Sequence, residues 1–151
     1  MKQLCTWLAL ACAVCTASAQ TQQQPSTLRP SVRLVFAGDT TLDSDPGEWI
    51  AKGNDPFHSF APLFAQADVR LLNLECVVAT TGAALPKNYT FRAHPRVLQT
   101  LKRHVDGVTL ANNHSGDYGR TAFAEMLRLL QNHSLAQAGG GMDLGEAHTP
   151  W

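Results

Sequence analysis

Four short apolar runs, separated by segments with helical spacing, constrain the fold of this chain most strongly. The runs are residues 32–37, 68–75, 108–111 and 135–138. Apolar side chains recur every three or four residues in the segments between them, which are 57–67, 94–105 and 121–133. Runs of this length suit strands, and the recurrent spacing suits amphipathic helices. Alternating strands and helices predict an α/β fold, with a mostly parallel sheet covered by helices.

The remaining segments contain residues that favour turns. Residues 42–55 carry Asp, Pro and Gly and predict a loop with at most a short turn of helix, and residues 76–89 predict a second loop. The run 32–37 is mostly apolar, which predicts a central strand. It leads into Gly38-Asp39, where glycine permits a tight turn. Residues 145–151 predict a loop without a closing element, so we expect the chain to be a fragment of a longer protein.

The first 31 residues are predicted to lie outside the fold. Lys2 precedes an apolar stretch, residues 4–14, that is too short to span a bilayer. Ala17-Ser18-Ala19 has the small residues that signal peptidase reads, so residues 1–19 predict a signal peptide cut after Ala19. Residues 20–31 are rich in Gln, Ser, Thr and Pro and predict a flexible spacer. We expect an exported protein, periplasmic or secreted, without a stable membrane anchor, whose folded domain is 32–151.

Charge and cysteine content exclude other classes. Lys and Arg together number 12, as do Asp and Glu, so the net charge is zero. A nucleic-acid or anionic membrane partner is therefore not expected, because both favour a strongly basic surface. Removal of the signal peptide would leave only Cys76 of the four cysteines. No intrachain disulfide is then possible, and the domain must be held by its core.

Polar side chains stand where three of the predicted strands end. Asp39 follows the first strand, Asn73 and Glu75 end the second, and Asn112-Asn113-His114 follows the third. The carboxyl ends of parallel strands meet at one edge, and neighbouring strands are about 4.8 Å apart. Carboxylate, amide and imidazole groups there suit a divalent cation such as Mn, Mg, Fe or Zn. Such a metal polarises a phosphoryl oxygen and lowers the pKa of bound water.

A structural interpretation of the same residues stays open. Gly38-Asp39 is a common sequence after a strand, and Asn73 and Glu75 lie on one side of their strand, where both could cap the sheet edge. Asn112 and Asn113 are also residues that favour turns. On this interpretation the polar strand ends serve only as caps.

Several segments taken together resemble a known family. They are Phe36-Ala37-Gly38-Asp39, Ala67-Asp68, Asn73-Leu74-Glu75, Tyr89-Thr90-Phe91-Arg92-Ala93-His94-Pro95, Leu110-Ala111-Asn112-Asn113-His114 and Asp117-Tyr118-Gly119. They resemble the CapA family of bacterial capsule and poly-γ-glutamate synthesis proteins, which has a calcineurin-like metallophosphoesterase fold. The resemblance runs from residue 32 to 150 and implies the N-terminal half of that fold, truncated.

The resemblance also implies roles for particular residues. Asp39, Glu75 and Asn113 would be metal ligands, with Glu75 between two metals. His114 would be the catalytic residue beside the substrate phosphate, stabilising charge or protonating a leaving oxygen. The residues that orient these groups would be Asn112 and Asp117.

The chain departs from the family pattern at two points. The Asp-x-His of ordinary metallophosphoesterases reads Asp39-Thr40-Thr41, so one imidazole ligand is missing. The family's later Gly-His-x-His-like element does not occur in this chain. The other histidines match no ligand motif and are interpreted as surface or loop residues; they are His58, His94, His104, His133 and His148.

Three functions remain open on this evidence. The first is an exported CapA-like protein of capsule or poly-γ-glutamate biosynthesis with a metallophosphoesterase-type metal site, a hydrolase at full length and inactive as this fragment. The second is a non-catalytic component that binds polymer or other capsule-synthesis components. The third is an exported binding domain whose polar strand ends are only caps.

Overall fold

A four-stranded parallel sheet is the centre of the structure, a computed structural model that describes residues 31–151. The predicted signal peptide and all of the predicted spacer except Ser31 lie outside the described residues. The elements in chain order are β1 (Leu34–Thr40), α1 (Ser44–Ala51), a 3-10 turn (His58–Phe60), α2 (Ala61–Phe64), β2 (Val69–Leu74), β3 (Val77–Val78), β4 (Arg92–Ala93), α3 (Val97–His104), β5 (Gly107–Thr109), α4 (Gly119–Asn132), β6 (Ala136–Ala138) and α5 (Leu144–Ala147).

The order of strands in the main sheet is β1-β2-β5-β6, and every neighbouring pair is parallel. Strands alternate with helices along most of the chain, so the predicted α/β class with a mostly parallel sheet is confirmed. Within residues 31–151 no helix is both long and apolar enough to cross a bilayer.

The prediction that the first strand is central is wrong, because β1 lies at one edge of this sheet. Its side chains alternate between two environments: Val35 and Ala37 pack against the core, whereas Leu34 and Phe36 are 53% and 68% exposed. An apolar run shows that both faces of a strand are hydrophobic. It does not show that both are covered, since strand order depends on contacts distant in sequence.

The predicted turn at Gly38-Asp39 is also wrong. β1 continues to Thr40, and the register with β2 shifts between Ala37 and Asp39. Gly38 therefore lies at an irregularity inside the strand, which is a common position for glycine in a sheet. The consequence for the site is that Asp39 is paired in register with Asn73 of β2.

Three predicted loops contain short elements. The first contains α1, which is eight residues long and begins after Asp43, whose carboxylate accepts a hydrogen bond from the Ser44 N–H. The loop after β2 contains β3, which forms a second parallel sheet with β4. Residues 144–147 form α5, capped by Asp143. The helix predicted over 57–67 is shorter, because only the 3-10 turn and α2 form there.

The predicted inward faces of the two longer helices are largely confirmed. On α3, Val97, Leu98 and Leu101 are fully buried, and Val105 directly after the helix is 1% exposed. On α4, the fully buried residues are Ala122, Met126 and Leu130, and those packed partly against the core are Phe123 and Leu127. Each large apolar side chain buried in this way contributes roughly 1.5–3 kcal/mol.

The segment between β3 and β4, residues 79–91, is held to the core by polar contacts with α4. The carboxylate of Glu125 accepts hydrogen bonds from the backbone N–H and the hydroxyl of both Thr80 and Thr81, at 2.5–3.1 Å. The side-chain hydrogen bond from Thr81 has the largest effect and lowers the pKa of Glu125. Partial burial raises this pKa, but the hydrogen bonds from Thr80 lower it further, so that it lies at about 2. This anchor matters for the site described next, because Lys87 and Phe91 belong to the same segment.

Candidate functional site

The carboxyl ends of β1, β2 and β5 share one hydrogen-bonded network with Asn73 at its centre. The Asn73 amide nitrogen donates to Asp39 Oδ1 at 2.8 Å and to Glu75 Oε2 at 2.5 Å. The Asn73 amide oxygen accepts from the Thr109 hydroxyl at 3.1 Å and from Asn112 Nδ2 at 3.0 Å. The structure therefore brings together two of the predicted metal ligands, Asp39 and Glu75, through Asn73, a strand-end residue to which the sequence assigned no role of its own.

The orientation of the Asn73 amide follows from its partners. Two donors face its oxygen, so its NH₂ group must face the two carboxylates, which can only accept when ionised. The oxygen of Asn73 is thus not free to bind a cation. Asp39 and Glu75 each use only part of their acceptor capacity on this amide and keep lone pairs for another partner.

Asn112 connects this pair of carboxylates to the loop after β5. Its Nδ2 donates to Asn73 Oδ1 and to the Leu74 carbonyl, at 3.0 and 2.9 Å. Its Oδ1 accepts from the backbone N–H groups of His114 and Ser115, both at 2.9 Å. Both ends of the amide are engaged within the protein, so Asn112 links the end of β2 to the turn that carries His114.

His114 forms a close pair with a buried carboxylate. His114 Nδ1 lies 2.7 Å from Asp117 Oδ2, and the Asp117 side chain is fully buried. The same oxygen accepts from the Phe91 N–H at 2.8 Å, and Lys87 Nζ binds Oδ1. The Phe91 ring packs on the imidazole with its centroid 4.4 Å away. Lys87 and Phe91 were not predicted from the sequence, since both come from a segment distant from β5.

The contacts of Asp117 determine which nitrogen of His114 carries a proton. Burial raises the pKa of the Asp117 carboxyl, but hydrogen bonds from Lys87, His114 and Phe91 outweigh it, and the pKa lies below its ordinary value. An ionised carboxylate only accepts hydrogen bonds, so His114 Nδ1 must be the donor. In the neutral ring, Nε2 then holds the lone pair.

Asn113 takes a different position from the other predicted ligands. Its side chain is exposed and, within residues 31–151, makes no hydrogen bond. It lines an open cavity of about 890 Å³ beside the ends of β5 and β6, together with Arg120, Phe123 and Gly140. Its backbone carbonyl accepts from Lys87 Nζ at 2.6 Å. The structure thus does not bring the Asn113 amide into contact with Asp39 or Glu75.

The donor set fits part of the coordination sphere of a hard divalent cation. Asp39 and Glu75 supply two carboxylates, and cations such as Mg²⁺ are commonly held by one or two carboxylates while keeping several waters. In the part of the chain that the structure describes, no group of three or more His, Cys, Asp and Glu residues is placed to hold a metal ion. The protein ligands present would therefore need water or further groups to complete the sphere.

One of the remaining histidines differs from its predicted surface position. His104 is only 9% exposed, and its Nε2 lies 2.7 Å from Asp55 Oδ2. Its ring packs against Phe57 and Phe64 at centroid distances of 5.5 and 6.0 Å. A histidine on the inner face of a helix is buried when a carboxylate satisfies its polar nitrogen. Asp55 lies 49 residues away in sequence, which is why the pattern of α3 alone did not indicate it.

Comparison with known proteins gives one informative result. The family described as "Bacterial capsule synthesis protein PGA_cap" matches residues 33–151, a range that includes all the candidate site residues. Comparison with curated proteins gives no match. The family match confirms the expected relationship to capsule synthesis proteins and the metallophosphoesterase-like α/β fold. This chain belongs to the bacterial capsule synthesis protein family PGA_cap.

Proposed function

We propose that this capsule-synthesis protein is exported and uses the carboxyl edge of its sheet to bind a divalent cation and an anionic oxygen of its substrate. The observation that carries the proposal is the Asn73 amide, which brings Asp39 and Glu75 together and connects them through Asn112 to His114. A site of this kind would act on a phosphate ester or a related anionic group during synthesis of capsule polymer or poly-γ-glutamate.

Each residue of the site has a separate role in this proposal. Asp39 and Glu75 would hold the cation, and the exposed Asn113 side chain would have to turn towards them to act as a further ligand. A bound cation of this type supplies polarisation of a phosphoryl oxygen and a lowered pKa for bound water. His114 would act through Nε2, because Asp117 occupies Nδ1. As an imidazolium, His114 would donate a proton to a leaving oxygen, and the Asp117 carboxylate would stabilise that charge.

A second candidate function is a non-catalytic component that binds polymer or other capsule-synthesis components. It is supported by Thr41, which stands at the position of the imidazole ligand in the Asp-x-His of ordinary metallophosphoesterases. The Thr41 hydroxyl donates to the backbone carbonyl of Glu75 at 3.4 Å. In this second function, the two carboxylates would bind a cation or a partner without turnover.

Export is part of the same proposal and has its own test. The signal peptide predicted over 1–19 would be removed after Ala19 and deliver the domain to the periplasm or the medium. Mass spectrometry of the protein recovered from each cell fraction should find a chain that begins at Gln20. Recovery of chain beginning at Met1 in the cytoplasm alone would argue against export.

The metal site is tested by calorimetric titration of the purified chain with MnCl₂. We expect binding in the wild type and in Glu48→Gln, a control carboxylate exposed on α1, and no binding in the double variant Asp39→Asn, Glu75→Gln. Hydrolysis of bis(p-nitrophenyl) phosphate, assayed on the complete gene product, should follow the same pattern. If the wild type binds no Mn²⁺ yet the double variant loses capsule production in cells, the non-catalytic function is favoured instead.

A further inference from the structure

Lys87 is the one charged side chain from the β3–β4 segment, residues 79–91, that contacts the loop carrying His114. Residues 81–89 are exposed, and the segment contributes little to the apolar core. Lys87 Nζ nevertheless binds Asp117 Oδ1 and, at 2.6 Å, the carbonyl oxygen of Asn113. The backbone N–H of Leu85 also donates to the Asp117 carbonyl at 2.8 Å. The segment is thus held against this loop by polar contacts at defined atoms.

The Asp117 carboxylate depends on Lys87 for its permanent positive partner. Its three donors are the Phe91 N–H, His114 Nδ1 and Lys87 Nζ, and only Lys87 carries a full charge when the imidazole is neutral. The Asp117 side chain is fully buried, and a buried carboxylate is retained in place only when it is paired and hydrogen-bonded. Without the ammonium group, the carboxylate would lose the contact that fixes Oδ1 and would be free to turn away from His114 Nδ1, which would then no longer be its obligatory donor.

The same ammonium group holds two different parts of the site. Through Asp117 it fixes the acceptor for His114 Nδ1, and through the carbonyl of Asn113 it fixes the residue that precedes His114. We propose that Lys87 is a positioning residue that keeps His114 in the Nδ1–H tautomer with its ring fixed, so that Nε2 is presented to substrate. The catalytic consequence rests on the proposed function, whereas the tautomer is a property of the chain by itself.

The tautomer of His114 is measurable without any substrate or metal. Long-range ¹H–¹⁵N correlation spectra at a pH where the ring is neutral distinguish the two tautomers, and His114→Gln assigns the signal. The wild type should show the Nδ1–H form, and Lys87→Met should show a mixture of both. Lys87→Arg keeps the charge and should retain the Nδ1–H form. The matched control is Lys102→Met, because Lys102 Nζ also binds a carbonyl, that of Ser134, away from this site.

An unchanged His114 tautomer in folded Lys87→Met would overturn the proposal. If Lys87→Met does not fold, Lys87→Gln takes its place, because glutamine keeps a hydrogen-bond donor near the end of a side chain of similar length but carries no charge. A mixture of tautomers in Lys87→Gln would then support the proposal, and an unchanged tautomer would overturn it. A second readout addresses activity: in the complete gene product, Lys87→Met should lower kcat for phosphodiester hydrolysis by about 10- to 100-fold, and Lys87→Arg should restore most of it. If neither the wild type nor any variant hydrolyses the phosphodiester, the proposed function fails. The tautomer of His114 still decides the role of Lys87 in that case.

Discussion

Asn73 and Asp39 face each other in register across β1 and β2, and the Asn73 amide donates to the Asp39 carboxylate at 2.8 Å. This pairing exists because β1 shifts its register just before Asp39. One amide therefore separates two carboxylates that would otherwise repel each other, and the same amide connects them to the next strand.

Removal of that amide should affect both stability and cation binding. We expect Asn73→Ala to lower the free energy of unfolding by roughly 1–3 kcal/mol, because Thr109 and Asn112 each lose an acceptor. Mn²⁺ affinity should fall as well, since the two carboxylates lose their common partner. Urea unfolding and calorimetric titration measure the two effects.

Asn113→Ala is the matched control for stability. The Asn113 side chain is exposed and, among the described residues, makes no hydrogen bond, so its removal should change the free energy of unfolding by less than about 0.5 kcal/mol. Equal destabilisation by Asn73→Ala and Asn113→Ala would show that the Asn73 network does not stabilise the sheet edge.

Glu125 should make stability depend on pH in a defined window. Its pKa is about 2 in the folded chain against an ordinary value of 4.5, so between these values the unfolded state binds more protons. The contribution is fully present above pH 4.5 and is lost as the pH falls towards 2. Urea unfolding of the wild type and Glu125→Gln across this range should give a difference in stability that shrinks as the pH falls. A difference that is constant with pH would contradict the assignment.

Gly82 should tolerate a side chain poorly for two reasons. Its φ is +83°, and a Cβ there would lie 2.2 Å from the Tyr118 carbonyl oxygen and 2.8 Å from the Ala122 Cβ. Gly53 has a similar φ of +85° but no atom within 4 Å of the added Cβ. Gly53→Ala should therefore cost about 1–2 kcal/mol from backbone strain alone, and Gly82→Ala should cost clearly more in thermal or urea unfolding.

Comparison of Gly82→Ala with Gly53→Ala separates the cost of backbone strain from the cost of steric conflict. If Gly82→Ala destabilises no more than Gly53→Ala, the β3–β4 segment is able to move away from α4 without loss. That result would also weaken the case that this segment holds Lys87 in a fixed place.

The order of strands and helices was predictable from the sequence because it depends on local spacing of apolar residues. The buried stripe of α3, including Leu98 and Leu101, follows directly from a helical period. Strand order does not, and β1 was expected at the centre of the sheet although it lies at an edge. The apolar composition of β1 correctly indicates a strand, but composition does not show which neighbouring element covers each face of that strand.

The site shows the same division between local and distant information. Asp39 and Glu75 were identified from their positions at strand ends, and the structure brings both onto one amide. Lys87 and Phe91 were missed, since they reach Asp117 from 30 and 26 residues away through a segment that looked like an ordinary loop. The sequence signal that would have found Lys87 is a lone lysine inside an otherwise uncharged loop beside the Tyr-Thr-Phe-Arg motif.

Cys76 has a practical consequence for following this loop experimentally. It is the free cysteine of the described residues, it is fully buried, and burial raises the pKa of its thiol to about 12. Thiol-reactive reagents attack the thiolate, so Cys76 will stay unmodified in the folded protein. Among residues 31–151, Tyr89→Cys, at a position 73% exposed in the β3–β4 segment, would then accept a spin label or fluorophore selectively, without any need to replace Cys76.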